Sequence, residues 1–152
     1  MTLNGLLQKS PASLPILQAT FGLERESLRI SKINHRVAQT KHPEILGSRS
    51  FHPYIQTDYS EPQIELITPI ANSTSEVLRF LGAITDVIGR SINKDEYLWP
   101  LSMPPKLTAD EIAIASLEDH WERQYRDHLA KVYGKVLQSM SGIHYNMELG
   151  AN

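Results

Sequence analysis

The sequence contains no cysteine. That excludes a disulfide framework, a thiolate zinc site and a thiol nucleophile, and it fits a reducing compartment. Basic residues are not in excess: 15 lysines and arginines against 17 acids give a formal net charge of -2. A broad electrostatic grip on nucleic acid needs clustered cations, so none is expected. No apolar run is long enough to span a bilayer. The N-terminus lacks a basic stretch followed by an apolar core, so it does not read as a secretory signal. The expected location is the cytoplasm, with neither nucleic acid nor membrane as a partner. There is no GxxxxGK(S/T) phosphate loop, no GxSxG nucleophile turn, no internal repeat and no low-complexity tract. The 152 residues have ordinary apolar and charged fractions and suit one modest domain with its own core.

The stretch that organises the chain is FGLERESLRI, Phe21 to Ile30. Bulky and polar residues alternate over most of it, which predicts a strand. Side chains two apart share a strand face. Gly22, Glu24, Glu26, Leu28 and Ile30 therefore take one side, and Leu23, Arg25, Ser27 and Arg29 the other. The Cα atoms of Glu24 and Glu26 then sit roughly 7 Å apart. Neighbouring carboxylates repel. Either both lie in water on a solvated face, or a divalent cation with oxygen ligands holds them together. The motif by itself leaves both readings open.

Before this strand, Thr2 to Thr20 reads as a helical lead-in. Leu3, Leu6 and Leu7 are helically spaced, Ser10-Pro11 interrupts, and Leu14, Ile16 and Leu17 resume around Pro15. After the strand, Asn34 predicts a turn before a short second strand near Val37 to Thr40. His42 to Gly47 predicts a one-turn helix with proline at its start and glycine at its end, and His42 reads as structural rather than catalytic. Two strand-like runs, Tyr54 to Tyr59 and Gln63 to Thr68, flank Ser60-Glu61-Pro62, where proline marks a strand start, bulge or edge. Gln63, Glu65 and Ile67 share one face; Ile64 and Leu66 share the other. An acid in an otherwise apolar strand is costly to bury unless paired or metal-bound. Asp58 and Glu65 are thus a second candidate acidic pair. The other reading is a half-covered antiparallel sheet with Glu65 in solvent.

Ser73-Thr74-Ser75-Glu76 is a capping-box pattern. Val77, Leu78, Leu81, Ile84, Val87, Ile88 and Ile92 recur behind it at helical spacing, predicting one amphipathic helix from about Ser75 to Lys94 that covers the sheet. Leu98 to Pro105 holds three prolines and is expected to be a loop. Thr108-Ala109-Asp110-Glu111 predicts a second capping box and a short helix to about Ala115. Trp121 to Val132 predicts a further helix ending near Tyr133-Gly134. Its stripe of Trp121, Tyr125, Leu129 and Val132 reads as core. Arg123 and Arg126 read as a solvated face, with phosphate contact as the alternative. The last stretch, Ser141 to Gly150, alternates strictly. Ile143, Tyr145, Met147 and Leu149 form a face expected to be buried. His144, Asn146 and Glu148 form a polar face, on which His144 and Asn146 suit either solvent or a metal or polar ligand.

Six stretches in order carry a resemblance: GLERESLR (Gly22 to Arg29), HPEILGS (His42 to Ser48), TDYSEPQIELITP (Thr57 to Pro69), WPLSMP (Trp99 to Pro104), YRDHLAKVYG (Tyr125 to Gly134) and QSMSGIHYN (Gln138 to Asn146). Together they resemble the N-terminal part of bacterial glutamate–cysteine ligase, including the ligase half of bifunctional enzymes that make glutathione on one chain. The resemblance runs from about Phe21 to Leu149. It implies an α+β fold, an antiparallel sheet forming part of a glutamine-synthetase-like half-barrel, covered by helices. Residues 1–20 would be the helical lead-in and 21–152 the N-terminal portion of the catalytic domain. The activity implied is ATP-dependent ligation of the glutamate γ-carboxyl to cysteine through γ-glutamyl phosphate, the first step of glutathione biosynthesis. Magnesium or manganese would be held by Glu24, Glu26, Asp58, Glu65 and His144. The cysteine-side pocket would correspond to Tyr59, Tyr125, Leu129 and Gln138, with Arg126 directed to phosphate or substrate. The sequence stops just after the His144 strand, whereas the family continues. The expectation is therefore a truncated product or excised domain with exposed sheet edges, partnered by glutamate, cysteine, ATP and the missing C-terminal part, and inactive alone. A non-catalytic metal- or partner-binding fragment is the alternative.

Overall fold

One strand, β1 (Thr20–Ser31), carries three antiparallel ladders. It belongs to a computed structural model that describes residues 19–117 and 119–149. The predicted lead-in lies outside the described residues except for Ala19 and Thr20. On one side β1 pairs with β3 (Gln63–Ile67), which pairs in turn with β2 (Ile55–Thr57). The opposite side is shared: β5 (Ile143–Glu148) runs along Thr20–Arg25, and β4 (Glu96–Leu98) along Arg29–Ser31. Main-chain bonds follow the alternation. Arg29 N–H donates to Pro62 O at 2.8 Å, while Glu26 N–H donates to Gly142 O at 3.0 Å on the other side. The helices are α1 (Thr74–Ser91), α2 (His120–Tyr133) and α3 (Lys135–Gln138). The result is the expected α+β arrangement of an antiparallel sheet with helices.

The sheet divides its residues by face. Ile55, Ile64 and Leu66 point to one side and bury against Ile88 and Ile92, with Leu46 closing the cluster. Each such fully buried aliphatic side chain contributes about 1.5–3 kcal/mol. On the other side β1 is split along its length. Leu28 and Ile30 pack with Val37, Tyr97, Trp99 and Leu107. Glu24 and Glu26, nearer the start of the same strand, lie beyond that cluster and face β3 and β5 partners.

Local chemistry sets the element ends. The Ser73 side chain accepts from Glu76 N–H at 3.3 Å and opens α1. The helix stops at Ser91, short of Lys94, because Asn93 Oδ1 takes the Asp95 N–H at 3.0 Å and turns the chain into β4. The Pro43 start and Gly47 end of the first predicted turn bracket a 3-10 turn at Glu44–Leu46, with Gly47 at φ +80°. Gly134, at φ +81°, ends α2 in the same way.

Four expectations need correction. The strand near Val37 to Thr40 is a single bridge, Val37 to Ile30. Ala38 N–H still donates to Arg29 O of β1 at 2.9 Å, but the pairing ends at Thr40, whose carbonyl accepts from the buried Arg29 guanidinium at 2.7 Å; the same guanidinium donates to Glu61 O and to Glu96, both at 2.9 Å. The helix from Thr108 to Ala115 shrinks to a 3-10 turn at Ala109–Glu111, because the chain then runs extended past Tyr59, whose carbonyl accepts from Ala115 N–H at 3.0 Å. The stripe on α2 is not core: Trp121, Tyr125 and Val132 are exposed, and the helix buries no residue fully. The same holds for Ile143, Tyr145 and Met147 on β5 and for Leu149 just after it, all exposed. Alternation identifies an apolar face; it does not supply the layer that covers it.

Candidate active site

The register of the ladders decides which side chains meet. Glu24 stands opposite His144 across β1–β5, and Glu26 opposite Glu65 across β1–β3. Directly paired residues of an antiparallel ladder share a face. Asp58 follows β2, and its N–H donates to Gln63 O at 3.1 Å, which carries the β2–β3 alternation one residue further. Asp58 therefore falls on the side of Gln56 and Glu65. All five residues singled out as metal ligands lie on this one face.

Their charges are felt mutually. Glu65 is pushed up to about 7, first by burial and then by Asp58, Glu26 and Glu24, with His144 opposing. Asp58 is also raised, by burial and then by Glu26, against the pull of the Tyr59 N–H, Arg126 and His144. Like charges held opposite one another across a ladder cost stability, and a cation is what would relieve them.

The contacts at the acids are specific. Glu26 Oε2 accepts from Gly142 N–H at 2.9 Å and from Gln63 Nε2 at 3.2 Å. Glu26 Oε1 lies 3.5 Å from His144 Nε2. Glu24 Oε1 accepts from Asn146 Nδ2 at 3.1 Å. Carboxylate oxygens with one imidazole are the donor set that a hard divalent cation takes, so the chemistry of these residues fits such an ion. Among the described residues, no group of three or more histidine or acidic side chains is already arranged to hold one. Glu26 is instead tied to Gly142 and Gln63, and Glu24 to Asn146.

Beside the acids lies a cavity of about 270 Å³, lined by Asp58, Tyr59, Glu122, Tyr125, Arg126, Leu129 and Gln138. The four residues expected for the cysteine side and Arg126 are thus brought together, and Asp58 joins the cavity to the acidic face. Arg126 Nε donates to Asp58 O at 2.9 Å, and its Nη1 lies 3.6 Å from Glu122 Oε2. The guanidinium ties α2 to the end of β2. Tyr59 is buried, and among the described residues its hydroxyl has no hydrogen-bond partner. Burial, followed by the nearby Asp127, raises its phenol above the usual range.

Sequence reasoning missed Gly142 and Glu122. Glu122 sits one helical turn before Arg126, an i, i+4 spacing that signals such a pair. Gly142 acts through its main chain, which no side-chain pattern announces. His42 is structural in its contacts: it is buried, with Nδ1 2.9 Å from Thr57 Oγ1.

Among the described residues, no helix is long and apolar enough to cross a membrane. The profile of the glutamate-cysteine ligase family matches residues 5–152. The glutathione biosynthesis bifunctional protein GshAB of Streptococcus mutans is 70% identical over 152 residues, covering 100% of this chain and 20% of that protein. The crystal structure of a bifunctional glutathione synthetase from Pasteurella multocida superposes with a TM-score of 0.84 at 44% identity, over 90% of this chain and 18% of that one. A crystal structure of glutamate–cysteine ligase from Francisella tularensis in complex with AMP gives a TM-score of 0.84 at 31% identity, over 88% of this chain and 27% of that one. The chain spans about a fifth of the length of the curated relatives it matches.

Proposed function

Since the chain belongs to the glutamate–cysteine ligase family, whose sheet is of the glutamine-synthetase-like type, we propose that it takes part in ATP-dependent joining of the glutamate γ-carboxyl to cysteine, the first step of glutathione biosynthesis. In this reading the γ-carboxylate accepts the γ-phosphoryl group of ATP, and the amine of cysteine displaces phosphate from the acyl phosphate. Such a reaction is mostly positioning and charge neutralisation. Glu24, Glu26, Asp58, Glu65 and His144 would hold magnesium or manganese, which supplies the neutralising charge for the phosphates. The cavity of Tyr59, Tyr125, Leu129 and Gln138 would take the cysteine side chain, between two aromatic rings and Leu129, with the two phenol hydroxyls and the Gln138 amide to orient it. Arg126, anchored on Asp58 O, would present its positive charge between the two. The Francisella tularensis ligase was crystallised with AMP, which supports a nucleotide as co-substrate.

The observation that carries this reading is the convergence of four acids and a histidine on one sheet face, adjoining that cavity through Asp58. The test is a chimera in which this chain replaces the matching fifth of the Streptococcus mutans relative. γ-Glutamylcysteine formation from glutamate, cysteine, ATP and magnesium is expected, with at least a hundredfold loss in the Glu26→Gln/Glu65→Gln form. A folded chimera without activity contradicts the reading.

A second reading, a non-catalytic metal- or partner-binding segment, is favoured by the exposed apolar face of β5. Its signature is cation binding by a chain whose chimera stays inactive.

A further inference from the structure

Taking the acidic face as a cation site, as above, we propose that Gln63 and Gly142 are positioning residues for Glu26: they engage its Oε2 so that Oε1 stays turned toward His144 as the oxygen offered to a divalent cation. Gln63 is fully buried, and its Nε2 donates to Oε2 at 3.2 Å. The Gly142 N–H donates to the same oxygen at 2.9 Å. Gly142 O in turn accepts from Glu26 N–H at 3.0 Å, so one residue grips both the main chain and the side chain of Glu26. Two donors use the hydrogen-bonding capacity of Oε2. Oε1 takes neither of these bonds and lies 3.5 Å from His144 Nε2.

The orientation of the Gln63 amide follows from its neighbours. A carboxylate only accepts, so the amide nitrogen must face Glu26. The amide oxygen then faces Ser60 Oγ, which donates to it at 3.4 Å, while Gln63 N–H donates to Ser60 O at 2.8 Å. The tight turn through Pro62 thus sets the amide that sets the carboxylate.

A Cβ at Gly142 would stand 2.9 Å from His144 Nε2 and 3.6 Å from Glu26 Oε1, so a side chain there makes the exposed imidazole shift. Partners one bond removed from metal ligands typically govern affinity by 10–100-fold. A purely structural glutamine would change stability and leave cation affinity alone.

The test titrates Mn²⁺ alone into the wild-type chain and its Gln63→Met, Gln63→Leu and Glu26→Gln forms. Free Mn²⁺ is followed by electron paramagnetic resonance, and thermal unfolding of the metal-free proteins is measured in parallel. Affinity at least tenfold weaker in folded Gln63→Met supports the proposal. Gln63→Leu removes the same donor and keeps the proposal testable if Gln63→Met does not fold. Wild-type affinity in the folded Gln63 variants, with weakened binding in Glu26→Gln, overturns the positioning role and leaves the cation site standing. No Mn²⁺ binding by the wild-type chain overturns the cation reading and this proposal with it.

Discussion

Glu26 stands directly opposite Glu65 across the β1–β3 ladder, and among the described residues neither forms an ion pair with lysine or arginine. Two carboxylates so placed destabilise a chain that carries no cation. Glu65→Gln is therefore expected to stabilise the metal-free protein at pH 8 by about 1 kcal/mol, the scale of a cross-strand like-charge pair. Urea unfolding with EDTA present measures it. A loss of stability would mean that Glu65 makes a favourable interaction that its neighbours do not reveal.

His42 sets a second expectation, in pH. Burial, then the charges of Arg49 and Arg29, lower it from 6.5 to about 4 in the folded chain. Between these values the unfolded chain binds the extra proton and the folded chain does not. Stability therefore rises with pH through that window and is lost as pH falls from 6.5 toward 4. The contribution between pH 7 and pH 5 is on the order of 1–2 kcal/mol. Denaturation curves across that range should be flatter for His42→Gln, which cannot titrate, than for the wild type. Parallel slopes would remove His42 from the acid sensitivity of the fold.

The two apolar faces of the sheet differ in cost. Ile64→Ala, at a fully buried position against α1, should lose about 2–5 kcal/mol. Ile143→Ser, at a position 65% exposed, should lose no more than about 0.5 kcal/mol. Equal losses would show that the β5 face is covered in solution.

Those two isoleucines also mark how far the sequence could be read. Alternation in FGLERESLRI, QIELI and IHYNME is a local property of the chain, and it fixed the strands and the residues that share a face within each, such as Glu24 with Glu26; the register that brings Glu65 and His144 to the same face is not local. Burial is not local. Ile143 and Trp121 lie on apolar faces as legible as that of Ile64, yet only Ile64 meets a helix. The short elements were hidden for another reason. β4 is three residues long and exists because Asn93 breaks the preceding helix, while the pairing at Val37 and Ala38 stops where the Arg29 guanidinium takes the Thr40 carbonyl. Such competitions between side chain and backbone are decided by tertiary partners. The cavity of Tyr59, Tyr125, Leu129 and Gln138 joins residues from separate elements, and only the six motifs taken in order pointed to it. Gly142 carries no side chain and could not have been singled out.

The claim on which the account rests is that acids from separate strands and one histidine form a single cation site. Calorimetric titration of Mn²⁺ into the wild-type chain and into Glu26→Gln/Glu65→Gln tests it most directly. One ion per wild-type chain is expected, with at least a hundredfold weaker binding in the double variant. Equal binding by the two proteins would contradict it.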